Sequence, residues 1–168
     1  MAIVTIKPVS VRSLIDRIDI LRQAIPFTVG FEEESLQLSK IFGACREYLE
    51  PYKNIRRAPA QAIDTRRIGE LGQLLLTQIP PAFKQKEFAD LQRIIEKRFL
   101  SGGGSVPTNR DLIDDYVAKI GEYAGRKDAN FAKTLTDLTL LITLFQMIKD
   151  EKLPLFTPTS KLSAKRQL

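Results

Sequence analysis

The sequence predicts an all-α protein, a single-domain bundle of five to six helices with a flexible N-terminal arm and a disordered basic C-terminal tail. Three observations lead to this fold class. Apolar residues recur at helical spacing in successive segments, prolines and glycines separate those segments, and hardly any stretch alternates as a strand would. The 168 residues are enough for one domain that buries about two-thirds of its unfolded surface.

The first three predicted helices span about 10–25, 31–49 and 60–79, each with an apolar face at 3.6-residue spacing. Ser10 is suited to cap the first helix and Pro26 to end it. Pro51 lies just beyond the second helix, and Pro80 with Pro81 ends the third. The residues expected to face inward are Val11, Leu14, Ile18, Leu21, Ile25, Leu38, Ile41, Phe42, Cys45, Leu49, Ile68, Leu71, Leu75 and Ile79.

The fourth and fifth predicted helices lie on either side of a glycine-rich linker. The fourth carries apolar residues at helical spacing, namely Phe88, Leu91, Ile95 and Phe99. Gly102–Gly104 prevent its continuation, and Thr108 is suited to cap a fifth helix that ends at Gly125. This linker is either a hinge or a break between two subdomains near 101–108. It is not a phosphate-binding loop, because it follows a helix rather than a strand and no lysine follows it.

The sixth predicted helix, from a cap at Asp128 to about Leu153, is apolar on most of its sides. A helix of this kind belongs at the centre of a domain or at an interface. Its threonines lower the intrinsic helix propensity, so tertiary packing must hold it. The sequence therefore predicts that this helix is the central element of the core.

The two ends of the chain carry no helical pattern. We expect residues 1–9 to be a flexible arm in which only Ala2–Lys7 has the composition of an extended segment. The bundle is predicted over 10–152. Residues 153–168 combine prolines, threonines, serines and cations without periodicity, which is typical of a disordered tail.

The positive charge of the chain is concentrated in two short segments. The segment 51–67 has a net charge of +4 and residues 153–168 have +3, so the rest of the chain, whose total is +6, carries −1. The cations of these two segments are Lys53, Arg56, Arg57, Arg66, Arg67, Lys161, Lys165 and Arg166. A charge excess confined in this way indicates a site for an anionic partner.

The position of two of these arginines strengthens that interpretation. Arg66 and Arg67 fall in the first turns of the predicted third helix, where the helix macrodipole disfavours cations. Unpaired backbone N–H groups at a helix start, together with arginine forks from Arg56 and Arg57, are suited to hold a phosphate. Tyr52 beside them is the candidate for stacking on a base.

The alternative is that segment 51–67 is an exposed loop whose arginines pair with neighbouring acids. Asp64, Glu47 and Glu50 are the acids nearest in sequence. The cations of the tail, Lys161, Lys165 and Arg166, add phosphate contacts in the first interpretation and serve only solubility in the second.

The residue inventory argues against catalysis. The chain has no histidine, which excludes a Ser/His or Cys/His dyad and any histidine metal ligand. Cys45 is the only cysteine, so no intrachain disulfide forms and we expect a buried core thiol. The carboxylates at Asp111, Asp114 and Asp115 are interpreted as the ordinary acidic start of a helix. We therefore predict no enzyme activity, no cofactor and no metal site.

The composition also indicates where the protein resides. The N-terminus lacks the pattern of a secretory signal. The longest uncharged apolar stretch, Leu138 to Ile148, has 11 residues, and about 20 are needed to cross a bilayer. We expect a cytoplasmic protein that binds no membrane.

Three functions remain open at this stage. The first is a non-enzymatic subunit of a larger assembly or oligomer that contacts the backbone of RNA or DNA through 51–67 with low sequence specificity. The second is a protein–protein adaptor that uses the apolar sixth helix or an exposed face of the fourth. The third is an enzyme or binder of a phosphorylated small molecule that uses the arginines as a clamp.

Overall fold

The computed structural model describes residues 9–53, 63–79, 89, 92–97, 129–153 and 155–156. Four helices with full bounds lie in these ranges: α1 Val11–Ala24, α2 Ser35–Leu49, α3 Thr65–Leu76 and α4 Ala129–Lys149. Residues 92–97, from the predicted fourth helix, are also helical. The all-α prediction is confirmed. The predicted fifth helix, the linker near 101–108, residues 1–8 and residues after 156 lie outside the described residues.

The helix boundaries follow local capping chemistry. Ser10 caps α1 as predicted, its hydroxyl accepting a hydrogen bond from Ser13 N at 3.0 Å. Pro26 lies in a 3-10 turn, Ile25–Phe27, that continues directly from α1. The second helix begins at Ser35 rather than at residue 31, and the third begins at Thr65 rather than at residue 60. A turn precedes α2 and a side-chain cap at Asp64 precedes α3. These local features, rather than the apolar pattern, determine the first helical residue.

The four helices form a ring in which each helix runs antiparallel to its neighbours. The ion pair of Arg46 with Asp19 joins α1 to α2, and the Tyr48 hydroxyl joins α2 to Asp64 at the start of α3. α4 closes the ring by packing on both α3 and α1. One end of the bundle thus gathers the starts of α1 and α3 with the ends of α2 and α4. The opposite end gathers the ends of α1 and α3 with the starts of α2 and α4.

Helix α4 is the central element of the core, as the sequence predicted. Leu135, Leu138 and Leu141 have no exposed surface, and the neighbouring threonines are buried too. Those hydroxyls are satisfied locally, because Thr139 donates to the carbonyl of Leu135 at 2.7 Å and Thr143 donates to that of Thr139 at 2.8 Å. α4 can therefore be enclosed by α1, α3 and the 92–97 segment without leaving a polar group unpaired.

Close approach between α3 and α4 depends on two glycines. A Cβ atom on Gly72 would lie 2.9 Å from the Cβ of Phe145, and one on Gly69 would lie 2.7 Å from the Cγ of Lys149. These contacts pair the middle of α3 with the last two turns of α4. The two helices pack at a distance that larger residues would not permit.

Two short strands pair in parallel, a feature that the sequence did not predict. Val9–Ser10 (β1) pairs with Leu155–Phe156 (β2), with Val9 opposite Leu155 and Ser10 opposite Phe156. Leu153 is buried and Leu155 packs against the core. The structure therefore differs from the predicted flexible arm at residue 9, and from the predicted disordered tail at 153 and 155–156. Two residues are too few to show a strand period in the sequence.

Among the residues that the structure describes, no helix combines the length and the apolar character that crossing a bilayer requires.

Candidate nucleic-acid interface

The structure describes part of the predicted site. Lys53 directly follows the 3-10 turn Glu50–Tyr52 at the end of α2, and Arg66 with Arg67 occupies the first turn of α3. These residues lie at the same end of the bundle, which we call the basic end. The other predicted cations, Arg56, Arg57, Lys161, Lys165 and Arg166, lie outside the described residues.

Asp64 fixes the start of α3. Its carboxylate accepts a hydrogen bond from the backbone N–H of Arg66 at 2.9 Å, so it is the N-cap of the helix. Its own backbone N–H donates to the Tyr48 hydroxyl at 2.8 Å, which ties the cap to α2. The first turn of α3 is therefore held in a fixed position relative to α2. The backbone that carries Arg66 and Arg67 is fixed with it.

Each described cation of the predicted site has an acidic neighbour. Arg66 Nε lies 3.6 Å from the Asp64 carboxylate, and Lys53 Nζ lies 3.4 Å from Glu50, as the loop interpretation expected. Arg67 pairs at 3.0 Å with Glu70, an acid that the sequence did not indicate. The Arg66 side chain is nevertheless 87% exposed. Exposed pairs contribute less than about 1 kcal/mol each, so a phosphate can compete with them for the arginines.

Tyr52 does not fit its predicted role as a stacking platform. Its side chain is only 9% exposed and belongs to the core cluster. Burial, with a smaller contribution from Tyr48, raises the pKa of its hydroxyl. The two tyrosine rings pack against each other at a centroid distance of 6.1 Å. A ring packed in this way has no open face for a base, so Tyr52 is a packing residue.

Lys149 is an additional cation at the basic end. The stem of its side chain packs over Gly69, one turn beyond Arg66 on α3, and the residue is exposed. Within the described part of the chain, no carboxylate lies within salt-bridge distance of its ammonium. Asp150 and Glu151 follow it and are also exposed. Because 80 residues separate Lys149 from Gly69 in sequence, only the packing of α3 on α4 could reveal this neighbour.

The end of the described chain lies at the same end of the bundle. β2 pairs with β1, which directly precedes α1, and α1 begins at the basic end. The chain therefore reaches Phe156, 5 residues before Lys161, close to the elements that carry Arg66 and Lys149.

Arg46, although close to Lys53, has a structural role. It pairs with Asp19 of α1 and lies 3.6 Å from Glu50. The hydrogen bond to Asp19 and the charge of that carboxylate raise the pKa of Arg46. A wide, shallow depression beside it is lined by Gly43, Arg46, Glu47, Glu50 and Pro51. Two glutamates and an already paired arginine make this depression unsuited to an anion.

Cys45 lies in the interior of the bundle with no exposed surface. Burial raises the pKa of its thiol to about 12, although the charge of Arg67 acts in the opposite direction. The thiol is therefore protonated at neutral pH and is a poor nucleophile, in agreement with the prediction of a core residue. In the described residues, no three cysteine or carboxylate side chains are grouped closely enough to hold a metal ion.

Comparison with family models, curated proteins and solved structures found no match to this chain.

Proposed function

We propose that the protein is a non-enzymatic subunit of a larger assembly, and that its basic end contacts the phosphate backbone of a nucleic acid. The observation that carries this proposal is the placement of Arg66 and Arg67 in the first turn of α3. A cation there is disfavoured by about 0.3–1 kcal/mol relative to a neutral residue. Asp64 caps the helix, so the cap does not depend on the two arginines.

The chemistry of the surface suits phosphate. Arginine presents a planar fork that binds two phosphate oxygens at once, and the side chain of Arg66 is almost fully exposed. Lys149 and Lys53 add point charges from two other elements. The exposed pairs with Asp64, Glu50 and Glu70 limit the strength of the surface, so we expect weak, salt-dependent binding without sequence selectivity.

The remaining predicted cations extend the same surface in this proposal. Arg56 and Arg57 belong to the segment that links Lys53 to Asp64, both of which lie at the basic end. Lys161, Lys165 and Arg166 follow Phe156, which lies there too. RNA and DNA are both suitable ligands, since the phosphate backbone is common to them.

The test is fluorescence anisotropy of a labelled single-stranded RNA, and of a labelled DNA duplex, over a salt series with the full-length protein. The triple variant Arg66→Gln, Arg67→Gln, Lys149→Gln removes three charges from the basic end. Its matched control, Arg22→Gln, Lys40→Gln, Lys133→Gln, removes three exposed charges from the other half of the bundle.

We expect the wild type to bind with a steep salt dependence. The slope of log K against log salt should fall by about 0.7–0.9 for each phosphate that the first variant no longer binds, and it should change little in the control. Two further variants, R56Q/R57Q and K161Q/K165Q/R166Q, apportion the remaining phosphate contacts. Absence of binding by the wild type near physiological salt, or equal weakening in the variant and its control, would contradict the proposal.

The adaptor function remains a second candidate, but it requires a contact surface other than the sixth helix. One of the two predicted contacts, the sixth helix, is enclosed in the core as α4, so it offers no apolar face to a partner. Of the other, the fourth helix, the structure describes residues 89 and 92–97, where Ile95 is buried. The described residues instead expose apolar side chains near the start of α2. These residues favour a separate protein-binding surface.

A further inference from the structure

Three apolar side chains are exposed within ten consecutive residues, where α1 leads into α2. We call Phe27, Val29 and Leu36 the apolar corner; their exposed fractions are 89%, 54% and 67%. Thr28 between the first two is extended, with φ −99° and ψ 117°, and its side chain is buried. Because side chains alternate along extended backbone, Phe27 and Val29 both point away from the core. Phe27 is the most exposed large apolar residue in the described part of the chain.

The backbone beneath these side chains is firmly held. The Thr28 hydroxyl donates to the carbonyl of Ala24 at 2.7 Å and lies 3.2 Å from the hydroxyl of Thr134 on α4. Gly30 N donates to the carboxylate of Glu32 at 2.9 Å. The ring of Phe31 is buried against Phe131 at a centroid distance of 5.5 Å. The apolar corner is therefore a preorganised surface, and a partner would lose little free energy in ordering it.

The segment that carries the apolar corner is acidic. Residues 23–39 contain three glutamates, at 32–34, and no lysine or arginine, whereas the chain has a net charge of +6. The first cations on either side of this segment, Arg22 and Lys40, are exposed. Glu32 and Glu33, which lie between Val29 and Leu36 in sequence, are exposed as well. The segment thus combines exposed apolar side chains with a local excess of carboxylates.

We propose that the apolar corner docks a cationic amphipathic helix of a partner protein. Such a helix presents apolar anchors at positions i, i+3 or i+4, and i+7, which suit Phe27, Val29 and Leu36. Its lysines or arginines would lie near Glu32 and Glu33. The basic end of the bundle repels the same helix, so charge favours the apolar corner over the basic end.

The same charges argue against other occupants. The phosphates of nucleic acids and the headgroups of an anionic bilayer would be repelled by Glu32 and Glu33. Docking at the corner does not depend on nucleic-acid binding, because the corner lies in the other half of the molecule.

The test uses synthetic peptides as probes with the full-length protein. One labelled peptide is built from leucine and lysine with leucines at i, i+3, i+4 and i+7, and a second carries glutamate in place of lysine. Anisotropy titrations compare the wild type with Phe27→Ser. Leu74→Ser is the matched control, since Leu74 is also an exposed large apolar residue but lies on α3.

We expect the lysine peptide to bind the wild type and Leu74→Ser equally, and Phe27→Ser at least about tenfold more weakly. Glu33→Gln should weaken binding at low salt and have a smaller effect at high salt, because salt screens the charge that this substitution removes. Unchanged urea midpoints for all variants would show that the fold is intact.

Three results would overturn the proposal. The first is absence of binding by the lysine peptide, and the second is equal binding of the glutamate peptide. The third is equal affinity of Phe27→Ser and Leu74→Ser for the lysine peptide. Sedimentation that shows a dimer of the wild type and a monomer of Phe27→Ser would assign the corner to a second copy instead.

Discussion

The basic end and the apolar corner differ in how their exposed residues relate to the fold beneath them. At the basic end, charged residues stand in a helix start that disfavours them, and Asp64, Glu50 and Glu70 offset them through exposed pairs. At the apolar corner, the pairs that hold the backbone, Thr28 with Thr134 and Phe31 with Phe131, are buried, whereas the three apolar side chains of the corner are exposed.

This difference separates residues that hold the bundle together from residues that are available to a partner. The buried pairs under the apolar corner connect the segment between α1 and α2 to the start of α4, so their removal should destabilise the fold. Phe27 on the one surface and Arg66 on the other contribute little to folding, because each is almost fully exposed. Four substitutions or sets of substitutions, in order of decreasing effect on the free energy of unfolding, test this separation.

Gly30→Val should break the structure beneath the apolar corner. Gly30 has φ +112°, which a β-branched residue adopts only with strain, and a Cβ there would overlap the ring of Phe131. We expect a loss of about 3 kcal/mol or more in the free energy of unfolding, measured by urea denaturation.

Gly43→Ala is the control. Its Cβ would meet Arg22 at an ordinary 3.6 Å in the middle of α2, so a gain of up to about 1 kcal/mol is expected. Equal effects of the two substitutions would contradict the structure.

Thr28→Val should cost about 1–3 kcal/mol of unfolding free energy, because it leaves the buried hydroxyl of Thr134 without its partner. The double variant Thr28→Val, Thr134→Val removes both hydroxyls and should recover part of that loss. A double-mutant cycle in urea measures the coupling between the two residues. Strict additivity of the two single losses would show that this pair does not hold α1 to α4.

The contribution of Cys45 to the free energy of unfolding should depend on pH. Burial raises the pKa of its thiol from an ordinary 9.0 to about 12, so above pH 9 the unfolded chain loses the proton first and unfolding becomes more favourable. The contribution of Cys45 to stability is thus complete below pH 9 and decreases between pH 9 and 12, by up to about 1.4 kcal/mol per pH unit. The difference in unfolding free energy between wild type and Cys45→Ala should fall over this range. A difference that stays constant from pH 8 to 11 would exclude a raised pKa.

The smallest effect on stability is expected from the exposed surfaces themselves. Phe27→Ser, and separately the pair Arg66→Gln with Arg67→Gln, should change the unfolding free energy by no more than about 0.5 kcal/mol. For the arginines, removal of the exposed pairs is offset by relief of an unfavourable macrodipole interaction. A loss of several kcal/mol in either variant, measured in urea, would show that the surface itself holds the fold together.

The helical pattern was predictable because it depends on local spacing. Leu14, Ile18 and Leu21 lie on one face of α1 and are all buried, and Ser10 caps that helix as its side-chain chemistry indicated. The start of the second helix was predicted four residues too early. The apolar Phe31 was taken as helical, but it lies in a turn and packs on Phe131 through a contact 100 residues away, which no local rule anticipates.

The candidate interface was predictable only in part. Arg66 and Arg67 were recognisable because their position contradicts a local rule for helix starts. The sequence did not indicate three other features of this surface: the burial of Tyr52, the pairing of Arg67 with Glu70, and the approach of Lys149 to α3. The apolar corner was also missed, because the sequence shows that Phe27 and Val29 are apolar but does not show that they face outward.

The fold class, the central position of the most apolar helix and the concentration of positive charge in two segments were all evident in the sequence. These properties follow from composition and from spacing within a few turns of helix, where the interacting residues are close along the chain. Three further features became visible only in the folded chain: the end of α4 lies beside the start of α3, β2 pairs with β1, and the basic and apolar surfaces lie in opposite halves of the bundle. Those arrangements depend on helix packing across more than 70 residues, through glycines that permit close approach and threonines that pair inside the core.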